Sequence, residues 1–513
     1  MSDTSILTMP DNRVAVIGAG PAGLAAGRWL IAAGLEPVIF EASARLGGQW
    51  NPAAATSATW PGMRTNTSRV MTAFSDLDHA PGSHTYLRQE EMLDYLERYA
   101  LSSGLMPHLR LKTRVERLER AGACWLVRSG SDAGSRVEVF SRVVVATGRQ
   151  ALPDVPDIAG LEGFTGSLGA AHTAQYAGAE RYRGRTVVVA GCSVSALEIA
   201  TDIAQGGAAR VVVTNRRQRY VLPKLIAGVP TDHVMFNRAA ALMERVLPPE
   251  MLAEGLTMKI RQLAGSPGQF GAPEPSGNAF AAGISQSQGF LPAVAEGRIE
   301  VRPWMERIEG QTVHLRDGSG VRADAILFGT GYRMSMPWLC EKLAGAIGLD
   351  AYGVDLFDHT FHPDLPGLAF LGLFDLVGPA FPVLELQARW AALCLREPAA
   401  LPPREAMLAG VSRSRATRSG PVSLPMHAAA LVFARHAGVE PDLARWPQLK
   451  RALLFGPLSP ASFRLQGPHA LADAAARVEA QAAEFGAIAS PDFTAEELAI
   501  RDLLALDPLQ AAV

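Results

Sequence analysis

Residues 13 to 41 constrain this chain more than any other stretch. Val14-Ala15-Val16-Ile17 is a short apolar run of the kind that fills a buried parallel strand. Gly18-Ala19-Gly20-Pro21-Ala22-Gly23 follows at once. A helical spacing of apolar residues then runs through Leu24, Trp29, Leu30 and Ile31 to Gly34, and a second strand at 37–40 ends on Glu41. Gly18 lets the chain turn tightly, Gly20 lets backbone amides reach a pyrophosphate, and Gly23 lets helix and strand pack closely. The helix N-terminus favours the negative charge. Glu41 stands 23 residues after Gly18, where a carboxylate accepts both ribose hydroxyls and repels a 2'-phosphate. The stretch reads as a dinucleotide site for FAD or NAD, not NADP.

The pattern recurs. A valine-rich strand at 186–189 leads into Gly191-Cys192-Ser193-Val194-Ser195-Ala196, a helix from Leu197 to about 205, and a strand at 210–213. Only the first glycine survives; Ser193 and Ala196 are small replacements. In register with Glu41 stands Thr214, followed by Asn215-Arg216-Arg217. Guanidinium forks match phosphate oxygens and stack on purines, so the acid-to-base change reads as NADPH. The bland alternative for Arg216 and Arg217 is a solvated strand end. Cys192 reads as a small turn residue rather than a reactive thiol. An acid-ended and a base-ended site on one chain suit hydride transfer from nicotinamide to flavin.

Composition narrows the class further. A chain of 513 residues has room for two or three domains, and a net charge of -2 gives no reason to expect nucleic acid or an acidic membrane surface. The four cysteines, at 124, 192, 340 and 394, form no Cys-x-x-Cys pair, which disfavours a dithiol reductase and suits a reducing cytoplasm. The start, MSDTSILTMPDNR, lacks the pattern of a signal peptide, and no run of about 18 apolar residues appears, so no membrane association is expected. No metal-ligand spacing, Ser-His-Asp set or paired carboxylates stand out.

Further motifs carry a resemblance. Leu46-Gly47-Gly48-Gln49-Trp50 follows the first site, then Met63-Arg64-Thr65-Asn66-Thr67 and Met71-Thr72-Ala73-Phe74-Ser75-Asp76. Two strand ends, Val143-Val144-Val145-Ala146-Thr147-Gly148 and Asp324-Ala325-Ile326-Leu327-Phe328-Gly329-Thr330-Gly331-Tyr332, flank the second site. In this order, over about residues 12 to 430, the set resembles the flavin-containing monooxygenases (class B flavoprotein monooxygenases). Phe164, Gly166, His172 and Tyr176 supply the letters of the family fingerprint, with two extra residues between Gly166 and His172.

The resemblance implies that Glu41 binds the FAD ribose and that Gln49 and Trp50 pack near the isoalloxazine. Asn66 becomes the active-site asparagine, with Thr65 contacting NADP and Ser195, Ala196, Leu197 and Glu198 forming the NADP-binding stretch. Arg64, Thr67, Ala146, Thr147, Gly148, Thr330, Gly331 and Gln387 join the expected cofactor contacts. Gln387 lies on a closing helix expected near 378–390. His172 is expected to position the linker between domains. The implied activity uses FAD, NADPH and O2, forms a C4a-(hydro)peroxyflavin, and passes one oxygen atom to a small nitrogen- or sulfur-containing substrate. Baeyer–Villiger oxygenation of a ketone and an NADPH-dependent flavoprotein reductase stand as alternatives, and a homodimer is open.

The expected fold is α/β, with two Rossmann-like dinucleotide-binding domains in a three-layer, glutathione-reductase-like arrangement. The FAD domain occupies residues 1–158 and 323–430. The NADPH domain, 159–322, is inserted in it and carries its own insertion at about 222–295, with a loop at 265–277. A mainly helical extension fills 431–513.

Overall fold

Both valine-rich strands fold as the glycine turns after them require. The computed structural model describes residues 12–418 and 423–505. The first eleven residues of the stretch read above for targeting lie outside it, as do the last eight of the chain. Strand β1 (Arg13–Ile17) runs through Gly18–Gly20 into helix α1 (Pro21–Ala32), which starts on a proline, and returns as β2 (Glu36–Phe40). Strands β3 (Leu109–Arg110) and β4 (Arg142–Val145) follow, separated by three antiparallel strands over 114–140. The short strand β5 (Leu152–Pro153) leads to the second unit. That unit holds β6 (Gly169–His172), β7 (Thr186–Ala190), helix α2 (Val194–Gln205) and β8 (Arg210–Asn215). It continues with the short helix α3 (Thr231–Met235), β9 (Ile299–Pro303) and β10 (Ala325–Phe328). The chain returns through β11 (Tyr332–Arg333) to β12 (Leu368–Phe370) and helix α4 (Phe381–Arg396).

The strands make two five-stranded parallel sheets, ordered β12-β4-β1-β2-β3 and β9-β8-β7-β10-β6. Each glycine turn leaves an inner strand, β1 or β7, buried on both faces as continuous apolar strands require. α1 packs between the first sheet and α4, while Trp125 and Phe140 from the antiparallel strands cover the other face.

One boundary differs from expectation. The first unit was expected to resume near Asp324, yet β10 pairs in parallel with β7 and β6 and so belongs to the second sheet. Its four residues are all buried in that slot, and the Asp324 carboxylate pins it by accepting the Thr186 amide at 2.9 Å. The return to the first unit comes at β11. There β11 pairs antiparallel with β5, so the outward and return crossings form one two-stranded ribbon. His172 Nε2 donates to the Gly331 carbonyl at 2.9 Å and Nδ1 accepts the Ala174 amide at 3.1 Å, which defines a neutral ring; burial pushes its pKa down. These bonds join the chain at His172 to the return crossing at Gly331.

The segment 222–295 contains helices Arg238–Val246 and Pro249–Ala264, and Ala239 packs on Leu454 and Leu504 of the carboxy-terminal part. No described helix is long and apolar enough to cross a membrane.

The stretch 463–468, to which no chemistry attached in the sequence, closes a buried ionic knot. Arg464 is 2% exposed and donates to Ser75 Oγ at 2.5 Å and Asp76 at 2.8 Å, with Glu385 of α4 at 3.8 Å. Arg28 of α1 holds the other Asp76 oxygen at 2.9 Å, and Arg389 of α4 donates to the carbonyls of Phe463 and Pro468. Removing one partner of such a set leaves uncompensated buried charge. Arg464→Met is expected to cost about 3–5 kcal/mol. Urea unfolding measures it, and an unchanged midpoint would show that the knot contributes nothing.

Candidate cofactor and active site

The first cradle is set by how closely backbones approach. Gly18 has φ +106°, and a Cβ there would lie 2.6 Å from the Ala146 carbonyl oxygen; one on Gly23 would overlap the Gly18 carbonyl. Gly47 donates its amide to Ala19 at 2.9 Å, and a Cβ on Gly48 would stand 2.9 Å from Gly20 Cα. The Leu46–Trp50 segment is thus the second wall. Gln49 is exposed at its lip, Trp50 is buried with its carbonyl held by Gln89 at 2.6 Å, and Thr147 and Gly148 are exposed at the end of β4 beyond buried Ala146. Ala19 and Ala22 are buried in the core, and Gly20, the N-cap of α1, leaves the helix start without a side-chain cap.

Each Glu41 oxygen accepts one backbone amide, from Ala19 at 2.9 Å and Ser43 at 2.8 Å, and keeps capacity for another donor. An uncapped helix start, walls of glycine and a braced acid at the strand end fit a dinucleotide with a free 2'-hydroxyl.

The second cradle explains its own missing glycine. Gly191 has φ +131°, and the tight contact is shared: a Cβ on Gly329 would stand 2.7 Å from Ala196 Cβ. Room lost at Ala196 is returned at Gly329, on the end of β10. Ser193 and Ser195 are exposed at the uncapped start of α2. Burial pushes the Cys192 thiol up, in keeping with a turn residue. Arg216 and Arg217 are exposed past the end of β8; Arg216 stacks 4.7 Å from the ring centre of Trp304, and Arg217 donates to the Ala281 carbonyl at 2.5 Å. A planar guanidinium braced on an indole fits an adenosine 2'-phosphate.

Several expected ligands are already occupied. The Thr65 hydroxyl accepts the Leu87 amide at 2.9 Å and donates to the Thr67 carbonyl at 2.8 Å, so it builds the turn. Thr67 shares a 2.7 Å hydroxyl contact with Thr72. The Leu197 side chain is buried in the second core. Glu198 pairs with Lys224 at 2.7 Å. The Thr330 hydroxyl donates to the Asp154 carbonyl, and the Gly331 carbonyl accepts both Asp154 N–H and His172. The Gln387 amide is fully used inside the protein, on Gly372, His359, Thr360 and Phe370. Thr330 and Gly331 thus bond the linker crossings, and Gln387 bonds the 359–372 segment to α4.

At the Asn66 turn, by contrast, polar groups are left unoccupied. Among the described residues its half-buried carboxamide takes no hydrogen bond, and the neighbouring Arg64 Nη1 is buried without a partner. An orphaned buried cationic donor beside an unspent amide fits a bound anionic or carbonyl-rich cofactor. The loop also reaches into the second unit, where Trp60 packs edge-on against Tyr176. Around it stand residues that the sequence did not single out. Lys224, 5% exposed, puts Nζ 3.5 Å from the Thr65 carbonyl. Asp232 accepts the Ser68 amide at 2.6 Å, and His233 Nε2 lies 3.1 Å from Ser68 Oγ. Burial pushes the Asp232 carboxyl up to about 6 and His233 down to about 4. Lys224, Asp232, His233 and Trp304 belong to no motif and lie far along the chain, so no local signal marks them.

Comparison with known proteins accords with this geometry. The sequence profile described as Flavin-binding monooxygenase-like matches residues 11–483. Flavin-containing monooxygenase 5 of Cavia porcellus is 28% identical over 494 residues, 90% of this chain and 90% of that protein. The N-oxide-forming dimethylaniline monooxygenase 2 of Oryctolagus cuniculus is 28% identical over 484 residues, 89% of each. S-allyl-L-cysteine S-oxygenase from Allium sativum shares the fold, with a TM-score of 0.63 at 21% identity over 96% of this chain and 98% of that one. The profile spans both cradles, the Asn66 turn, the linker ribbon and α4, and the chain belongs to the flavin-binding monooxygenase-like family.

Proposed function

We propose that this chain uses NADPH and O2 to place one oxygen atom on a small substrate bearing a nucleophilic nitrogen or sulfur. The observation that carries the reading is the Asn66 turn: an unspent carboxamide two residues from the unpartnered Arg64 Nη1, on the loop that leaves the acid-ended cradle and joined through Lys224 to Glu198 on the helix of the base-ended one. Family membership makes FAD and NADPH the cofactors, and these supply hydride transfer and oxygen activation when bound. The protein's share is to bind, orient and exclude water. The cradle at Gly18–Gly23 and Glu41 takes the FAD end, and Ser193, Ser195, Arg216 and Arg217 take the NADPH end. Asn66 and Arg64 then offer hydrogen bonds where the two meet, holding polar atoms away from bulk water. The Oryctolagus relative's N-oxide formation supports a nitrogen nucleophile, and sulfur offers the same reactive lone pair. Four free cysteines suit a cytoplasmic setting.

With a panel of tertiary amines and thioethers under 18O2, the purified enzyme should consume NADPH and place one labelled oxygen in the product. NADPH consumption that yields only hydrogen peroxide across the panel would refute the reading. Asn66→Ala should keep bound FAD yet lower product formation about 100-fold, the scale for losing one aligned donor. Undiminished product per NADPH would remove Asn66 from the active site. Arg216→Ala with Arg217→Ala should raise KM for NADPH roughly 10- to 100-fold, the range for lost charge-assisted hydrogen bonds. KM for NADH should barely move, and equal losses would dispose of the 2'-phosphate assignment.

A further inference from the structure

The Asn66 turn belongs to the first unit, yet side chains of the second unit hold both its flanks. On one side Lys224 Nζ reaches the Thr65 carbonyl at 3.5 Å while pairing with Glu198 of α2 at 2.7 Å. On the other, Asp232 of α3 accepts the Ser68 amide at 2.6 Å, and His233 meets Ser68 Oγ at 3.1 Å. A further bond ties the same pieces, since the Tyr86 hydroxyl donates to the Lys224 carbonyl. Within its own unit the turn is anchored by Thr65 on Leu87 and by the Arg69 amide on the Thr85 carbonyl, so the bonds from the second unit, at the Thr65 carbonyl and the Ser68 amide, are a second set of anchors on the same turn.

We propose that Lys224, Asp232 and His233 are positioning residues, a clamp through which the second unit sets where the Asn66 carboxamide points. The inference rests on the reading of Asn66 given above. Burying a carboxylate and an ammonium is costly and persists where the bonds they make are needed. Asp232 is 2% exposed, and its second oxygen, like His233 Nδ1, has no partner among the described residues. The charge is spent on one backbone amide two residues from Asn66. Lys224 adds a route for coupling. Glu198 sits on the helix whose start faces the coenzyme, so a displacement of α2 reaches the Thr65 carbonyl through one side chain. Behind His233 the clamp is closed by Phe485, edge-on at 5.3 Å, with Arg69 over the same ring and paired to Glu484.

Amide hydrogen exchange on the FAD-loaded full chain tests this without turnover. In Asp232→Ala and in Lys224→Met, exchange in the peptide spanning 63–72 should rise about tenfold, the scale of one lost hydrogen bond, while peptides from α1 and β7 stay as in the parent. Asp232→Asn keeps an acceptor oxygen and should restore protection to within about twofold. Product per NADPH should fall in the order in which exchange rises. Unchanged exchange at 63–72 in Lys224→Met and Asp232→Ala overturns the proposal. So does a uniform rise across the chain, or an Asn variant as exposed as the Ala variant. Should Asp232→Ala not fold, Lys224→Met and Asp232→Asn decide alone. Exchange that responds while Asn66→Ala keeps full coupling would retain the clamp and discard the Asn66 assignment.

Discussion

The structure depends on two strand ends where one backbone must pass another at contact distance. At the first, Gly18 lies against the Ala146 carbonyl and Gly23 against the Gly18 carbonyl; at the second, Gly191 and Gly329 meet around Ala196. No side chain larger than a hydrogen fits at Gly18 or Gly23, and that closeness brings each helix start down onto the end of its sheet. An uncapped helix start has amides to spare, so the same geometry that packs the helix also makes an anion site. The difference between the cradles is then a matter of charge one strand away: a braced carboxylate at Glu41, a braced guanidinium at Arg216.

Features whose chemistry is local were legible in the sequence. Glycine turns, the valine-rich strands, Glu41 and the Arg216-Arg217 pair declare themselves within about 30 residues of one another, the length of a βαβ unit. The Asn66 turn was legible through its flanking motifs. Occupancy was not. Thr65, Glu198, Thr330 and Gln387 sit in the right motifs, but nothing in a motif says that a hydroxyl or amide is already spent on a backbone group. Nor was the sheet membership of residues 325–328, because a buried apolar strand looks alike in either sheet; the partner β7 and the pin at Asp324 decide it. The clamp lay furthest from view, since Ser68 and Asp232 stand 164 residues apart.

The two crossings between units pair with each other rather than running separately. The two-stranded ribbon is tied by Asp154, Thr330 and His172, so the outward and return crossings are bonded to each other at the junction of the two units. The ionic knot around Arg464 works on the opposite side of the first unit. There it locks α1, the 75–76 turn, α4 and the carboxy-terminal segment into one body.

A reaction that runs between two cofactors on two units needs something to carry the position of one to the other. The loop bearing Asn66 leaves the first glycine cradle at Gly47–Trp50, packs Trp60 on Tyr176 of the second unit, and is gripped at Thr65 and Ser68 by Lys224 and Asp232. A loop fixed only to the first unit would hold Asn66 in place whether or not the second unit was aligned. A loop held from both sides takes its placement from both units. That arrangement spends buried charge on a backbone amide where a surface turn needs none, and on the reading proposed for Asn66 it ties the placement of that carboxamide to the position of α2.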